Sequence, residues 1–163
     1  MTGRLTTRIA ALTASLLMAL AAPAGAEERL STQSRVSAAA TSPHAALQMV
    51  GSVRRARGLP ALRHDPRLDR AAAMHARDMA SRRFFSHRGS NGSKAFHRVR
   101  ASGYNACYAA ENLAYGPTTA AGATRLWVRS PGHLRNILSR KPVSVGVAKA
   151  PGNYWVMVFA RPC

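Results

Sequence analysis

Apolar and polar positions along the chain change period several times. Leu47, Val50 and Val53 or Arg54 recur at steps of three and four, which predicts a helix opened by Pro43 and ended by Gly58-Leu59-Pro60. A second helix is marked more sharply. Asp65 supplies an N-cap, Pro66 suits the first helical position, and Leu68, Ala72, His75 and Met79 fall on one apolar face. Gly89, Asn91 and Gly92 break this pattern and leave His87 in a loop just past the helix. A third helix is expected from about Ser93 to Ser102, with Gly103 as its stop, and residues 104–117 read as irregular or extended. An Ala-rich helix carrying Leu126 and Trp127 follows Pro117, and Pro131-Gly132 interrupts it so that a short helix begins near His133. In the tail the period falls to two. "VSVGVAKA" and "YWVMVFA" are β-rich runs joined by "PGN", a hairpin signal. Helices followed by a terminal antiparallel hairpin predict the α+β class, with helices packed on a small sheet.

The beginning of the chain follows other rules. Arg4 and Arg8, the apolar run "IAALTASLLMALAA" and the small residues up to Ala26 predict a cleavable signal peptide over residues 1–26, shorter than a membrane span. Export to a periplasm or the medium follows from that, without a membrane anchor. Residues 27–42 are polar and small and are expected to be a flexible lead-in, which leaves 43–163 as one domain. In an oxidising compartment the two cysteines, Cys107 and Cys163, are expected to pair as a disulfide that pins the C-terminal strand to the middle of the fold.

Charge adds a property common to every reading. The formal net charge is +18, of which the leader holds two, so the mature part carries +16. Arginine outnumbers lysine 21 to 3, and the charge is spread along the chain rather than gathered. Spread charge predicts salt-sensitive adhesion to anionic envelope or extracellular polymers, without specific nucleic-acid recognition.

Glu111 has no other Glu near it, in "YAAENLAYG", among apolar and small neighbours. A carboxylate in such surroundings needs a cation or hydrogen-bond donors. His87 and His133, both at element boundaries, are candidate partners, and two imidazoles with a carboxylate form a ligand set that suits Zn2+. By residue type and spacing alone, a hydrogen-bonded Glu with two ordinary loop histidines is the plainer account. His75 reads as a core histidine, His64 as a packing or capping residue, and His44 and His97 as solvent-facing.

Taken in order, "SVRRARGLPALRHDPRLDRAAAMHARDMA", "FFSH", "RVRASGY", "ENLAYG", "WVRSPGHLRNIL" and "VGVAKAPGNYWVMVFA" resemble the CAP superfamily of cysteine-rich secretory proteins, antigen 5 and pathogenesis-related proteins, most closely its bacterial secreted single-domain (SCP-like) members. The resemblance covers roughly residues 45 to 161. It implies a three-layer α-β-α sandwich whose central antiparallel sheet is flanked by helices around an open cleft. It also implies a metal-binding set of His87, Glu111 and His133. Asn112 and Asn136 are expected to hydrogen-bond the cleft loops and so fix the imidazole tautomers. One departure stands out. Many eukaryotic members carry a second cleft glutamate a few residues after the tryptophan, where this chain has Arg129 and Ser130. A metal-assisted hydrolase needs an activated water and a base that is not itself a ligand, so catalysis by Glu111, His87 and His133 is under-equipped. The expectation is therefore a monomeric exported protein whose cleft binds a divalent metal or small ligand. A metal-dependent hydrolase of peptide or cell-wall material is the alternative, and lipid or sterol binding the third reading.

Overall fold

The computed structural model describes residues 28–29, 31–35 and 42–163. The expected signal peptide lies outside them, as does much of the lead-in, whose described residues 28–29 and 31–35 are helical. From residue 43 the order is α1 (Pro43–Arg55), β1 (Arg63–His64), α2 (Pro66–Arg82), α3 (Ala95–Ala101), β2 (Ala106–Tyr115), α4 (Ala120–Arg129), α5 (Pro131–Leu138), β3 (Ser144–Ala150) and β4 (Tyr154–Pro162). The helix boundaries follow the punctuation in the sequence. Pro43 opens α1, the Asp65 carboxylate accepts from the Arg67 amide at 2.9 Å to cap α2, and Thr119 caps α4 through the Gly122 amide. Helix α5 begins at Pro131, two residues before His133.

The sheet runs β1-β3-β4-β2. Its three long strands are antiparallel, as expected, while β1 adds a two-residue parallel edge on β3, so the sheet is mixed. Residues 106–115, which sequence pattern alone left as irregular or extended, form the long edge strand β2. Strand β4 explains the three layers. Tyr154, Val156, Val158 and Ala160 pack toward α2 and α3, while Trp155, Met157 and Phe159 alternate to the other side with residues of α1, α4 and α5. A strand covered on both faces reads as one continuous apolar run, which is why "YWVMVFA" lacks polar alternation. The fold is α+β, an α-β-α sandwich.

Two glycine sites are dictated by geometry. A Cβ on Gly146 in β3 would stand 2.4 Å from the Asp69 nitrogen and the Leu68 carbonyl carbon, so the start of α2 lies directly on the strand. At the β3–β4 turn Gly152 and Asn153 both take positive φ, 78° and 63°, the conformation that the "PGN" signal required. The fully buried Trp127 and Trp155 donate their indole N–H groups to the Leu113 and Pro117 carbonyls, confirming them as core residues. Arg54 is equally buried. It donates to the Pro60, Ile137 and Ser139 carbonyls at 2.8, 2.6 and 2.7 Å, tying α1 to the end of α5.

Cys107 and Cys163 form the expected disulfide. Cys107 sits at the register shift between Ala106 and Tyr108, and the Cys163 amide donates to the Asn105 carbonyl at 3.0 Å. The bulge re-aims the cysteine toward the chain terminus. Closing a loop with 56 residues of separation stabilises the fold by roughly 4 kcal/mol in the chain-entropy account. Among the described residues no helix is long and apolar enough to cross a membrane.

Candidate functional site

Strand β2 places consecutive side chains on opposite faces of the sheet. Glu111 pairs in register with Val158 and points into the α2/α3 layer, whereas Asn112 pairs with Met157 and points toward the layer holding α5. The site is therefore built around an edge strand. Its carboxylate lies on one side of that strand and the helix bearing His133 packs on the other.

Both oxygens of the buried Glu111 are engaged. Oε1 accepts from His87 Nδ1 at 2.9 Å and Oε2 accepts from the buried Arg98 at 2.8 Å. Arg98 also donates to the Ser93 and His87 carbonyls at 2.8 and 3.1 Å, so α3 and the His87 loop close over the ion pair together. His75, on the inner face of α2, lies 3.9 Å from Glu111 Oε1, but its Nε2–H donates to the Ser86 carbonyl at 2.7 Å. Burial holds the His75 imidazole below the usual histidine range despite the nearby Glu111. This is the core histidine that the apolar face of α2 predicted. Its neighbour Asp78 pairs with Arg82 at helical spacing and also accepts from the Ser90 amide and hydroxyl, at 2.9 and 2.6 Å, tying down the loop after His87.

The Glu111 bond fixes the tautomer of His87. A carboxylate paired with Arg98 only accepts, so in the neutral ring the proton sits on Nδ1 and Nε2 carries the lone pair. The side chain of His87 is 62 % exposed, which puts that lone pair within reach of solvent. His133, in the first turn of α5, is half-buried with its Nδ1 buried and unpartnered. Burial, then the neighbouring His87, lowers its pKa from the usual histidine value, so the ring is neutral near pH 7. Asn112 and Asn136 hydrogen-bond the cleft segments, as expected, through backbone and amide groups and not through the imidazole rings. Asn112 donates to the His133 carbonyl at 3.0 Å, and Asn136 donates to Asn112 Oδ1 at 2.9 Å and to the Glu111 carbonyl at 3.3 Å.

The structure thus joins His87 directly to Glu111. The two do not close with His133 into a compact three-ligand cage. Among the described residues the one trio of His, Cys, Asp or Glu whose donor atoms all lie within 4.8 Å of one another is His44, His64 and Asp69. The residue that sequence reasoning missed is Arg98, one of 21 arginines with nothing in its spacing to set it apart. The need of Glu111 for a cation or hydrogen-bond donors was legible; that Arg98 meets it was not.

Comparison with known proteins agrees with this architecture. The profile of the cysteine-rich secretory protein family, CAP, matches residues 47–159. The uncharacterized protein YkwD of Bacillus subtilis (strain 168) is 28% identical over 139 residues, covering 85% of this chain and 54% of YkwD, so the chain spans about half the length of that relative. An extracellular protein containing an SCP domain from Bacillus anthracis str. Ames superposes with a TM-score of 0.70 at 24% identity, over 73% of this chain and 40% of that one. An outer surface protein of Borrelia burgdorferi superposes at 0.66 with 18% identity, over 72% of this chain and 90% of the other. At these identities the two structures speak to the fold.

Proposed function

The chain belongs to the cysteine-rich secretory protein (CAP) family, and from that premise we propose that it is an exported protein whose His87 and His133 bind a divalent metal or small polar ligand at the cell envelope or outside the cell. The observation that carries this reading is the His87–Glu111 bond at 2.9 Å, which engages Nδ1 of a largely exposed imidazole and leaves Nε2 as its ligating atom. Glu111 is the orienting carboxylate rather than a ligand, the arrangement in which an outer carboxylate raises the basicity of a ligating histidine. The donor set fits a Zn2+-class ion held by His87 and His133 with the remaining positions open to water or ligand, and Lewis acidity is the chemistry such an ion supplies. The extracellular and outer-surface descriptions of the structural neighbours agree with export, as does the expected signal peptide over residues 1–26. Adhesion to anionic polymers follows from the positive charge and weakens as salt rises.

The hydrolase alternative loses support from the same geometry. Both oxygens of Glu111 are occupied, and Arg129 and Ser130 stand where a second acid would be needed, so with His87 and His133 taken as ligands no free carboxylate base remains among the residues assigned to the cleft. Lipid binding has one observation in its favour, a groove of about 760 Å3 whose lining includes Ala80, Pro151, Tyr115 and Tyr154, with Arg77 and Arg83 also present. Isothermal titration of tag-free mature protein with Zn2+ tests the principal reading. His87→Ala and His133→Ala are each expected to remove one binding event, and unchanged binding in both removes the proposal. Lipid extracted from natively purified protein and identified by mass spectrometry would favour the groove instead.

A further inference from the structure

A second histidine–carboxylate cluster lies apart from Glu111, where three elements meet. His44 is in the first turn of α1, His64 is in β1, and Asp69 is near the start of α2. Both imidazoles aim Nε2 at the same atom. His64 Nε2 lies 2.6 Å and His44 Nε2 3.1 Å from Asp69 Oδ2, and the ring centroids are 5.0 Å apart, edge to face. The other oxygen, Oδ1, accepts from the Val147 amide at 2.8 Å. That bond is available because Gly146 lets the start of α2 lie directly on β3. The carboxylate is therefore anchored from behind by backbone, with its remaining lone pairs facing two side-chain nitrogens.

The charge setting is unusual for this chain. With 24 Lys and Arg against six acids, a carboxylate is expected to find a guanidinium, yet among the described residues no Lys or Arg nitrogen lies within 4.0 Å of Asp69. The nearby Arg67 is committed to Asp65 at 2.7 Å, which offsets its repulsion of a bound cation.

We propose that His44 Nε2, His64 Nε2 and Asp69 Oδ2 form a second divalent-metal site, for a borderline ion of the Zn2+, Ni2+ or Cu2+ class. The imidazole and carboxylate donors select that class over Mg2+ and Ca2+, which take oxygen ligands. Ligands about 2.0–2.1 Å from a tetrahedral ion stand roughly 3.3 Å apart, so the observed Nε2–Oδ2 separations need to widen by less than about 1 Å. The imidazoles supply that movement, being 58% and 42% exposed, and their exposure leaves the site open to water as further ligand. On binding, each ring ligates through Nε2 as the neutral Nδ1–H tautomer: the Nε2 proton passes to solvent water, Nδ1 takes one up from solvent, and Asp69 Oδ2 turns from accepting two N–H groups to ligating the metal. The ion would clamp α1 to β1 and α2, so the site is structural in consequence as well as a point of metal uptake.

The test separates this site from the one at His87 and His133. In tag-free protein carrying His87→Ala and His133→Ala, titration with Zn2+ is expected to show one equivalent bound, and Mg2+ none. Adding His64→Ala, or His44→Ala in a separate variant, is expected to weaken that binding at least tenfold. Asp69→Asn, which keeps an oxygen for the Val147 amide, is expected to do the same with folding intact by circular dichroism. In histidine-ring NMR spectra the His44 and His64 Nε2 resonances should move together on metal addition. Absence of binding in the first protein, or equal binding after loss of His44 or His64, overturns the proposal whatever the outcome at His87.

Discussion

The two histidine–carboxylate clusters use similar side chains in opposite settings. Glu111 is buried and shares its charge with the buried Arg98, and one imidazole contacts it directly. Asp69 is more open, has no such guanidinium, and draws two imidazoles to one oxygen. Burial decides the difference. A desolvated carboxylate requires a permanent cation, and once that cation is in place the carboxylate orients a histidine better than it ligates a metal. A carboxylate near water can remain short of charge, which leaves room for an exchangeable ion.

The largest expected effect breaks the buried cluster. Glu111→Ala leaves the Arg98 guanidinium desolvated without its counter-ion and is expected to destabilise the domain by about 3–5 kcal/mol, measured by urea unfolding. Adding Arg98→Met should recover a substantial part of that loss; strict additivity of the two would show that the pair is not coupled.

A smaller effect appears in the dependence of stability on pH. Burial holds His75 and His133 below the ordinary histidine range in the folded state, so they stay neutral there while the unfolded chain protonates. The unfolded state then binds more protons, and stability rises with pH through that interval. The urea midpoint is expected to be flat above about pH 7.5 and to fall as pH drops through about 6.5 toward the folded-state values. His75→Gln, which retains a donor for the Ser86 carbonyl, should flatten part of that fall. A midpoint unchanged between pH 7.5 and 5.5 contradicts the assignment.

The smallest effect belongs to the exposed cluster without metal. His64→Ala is expected to change the unfolding free energy by less than about 1 kcal/mol, as for other exposed polar contacts. A loss as large as that of Glu111→Ala would erase the distinction between the two clusters.

Much of the fold was legible because it rests on short-range rules. The Asp65-Pro66 start of α2, the "PGN" turn and the apolar face of Leu68, Ala72, His75 and Met79 are written in neighbouring residues. The expectation that Glu111 is partnered also held, since a lone acid among apolar residues has few other outcomes. Strand β2 was less legible. An edge strand holding Glu111 and Asn112 on opposite faces shows no simple alternation, and the bulge at Cys107 shifts its register. The pairing of His44, His64 and Asp69 left no trace in spacing, because it arises where α1, β1 and α2 pack together.

The sequence by itself determined which segments are helices, where the terminal hairpin turns, that two cysteines are available to pair, and that Glu111 requires a polar partner. Each of these follows from residues a few positions apart or from the cost of burying a charge. Only the tertiary structure decided that Arg98 answers Glu111, that His87 engages it through Nδ1, and that Asp69 receives two imidazoles. Those outcomes depend on which faces of distant elements meet, and packing sets that through the whole core, down to the missing side chain of Gly146 that lets α2 settle onto the sheet.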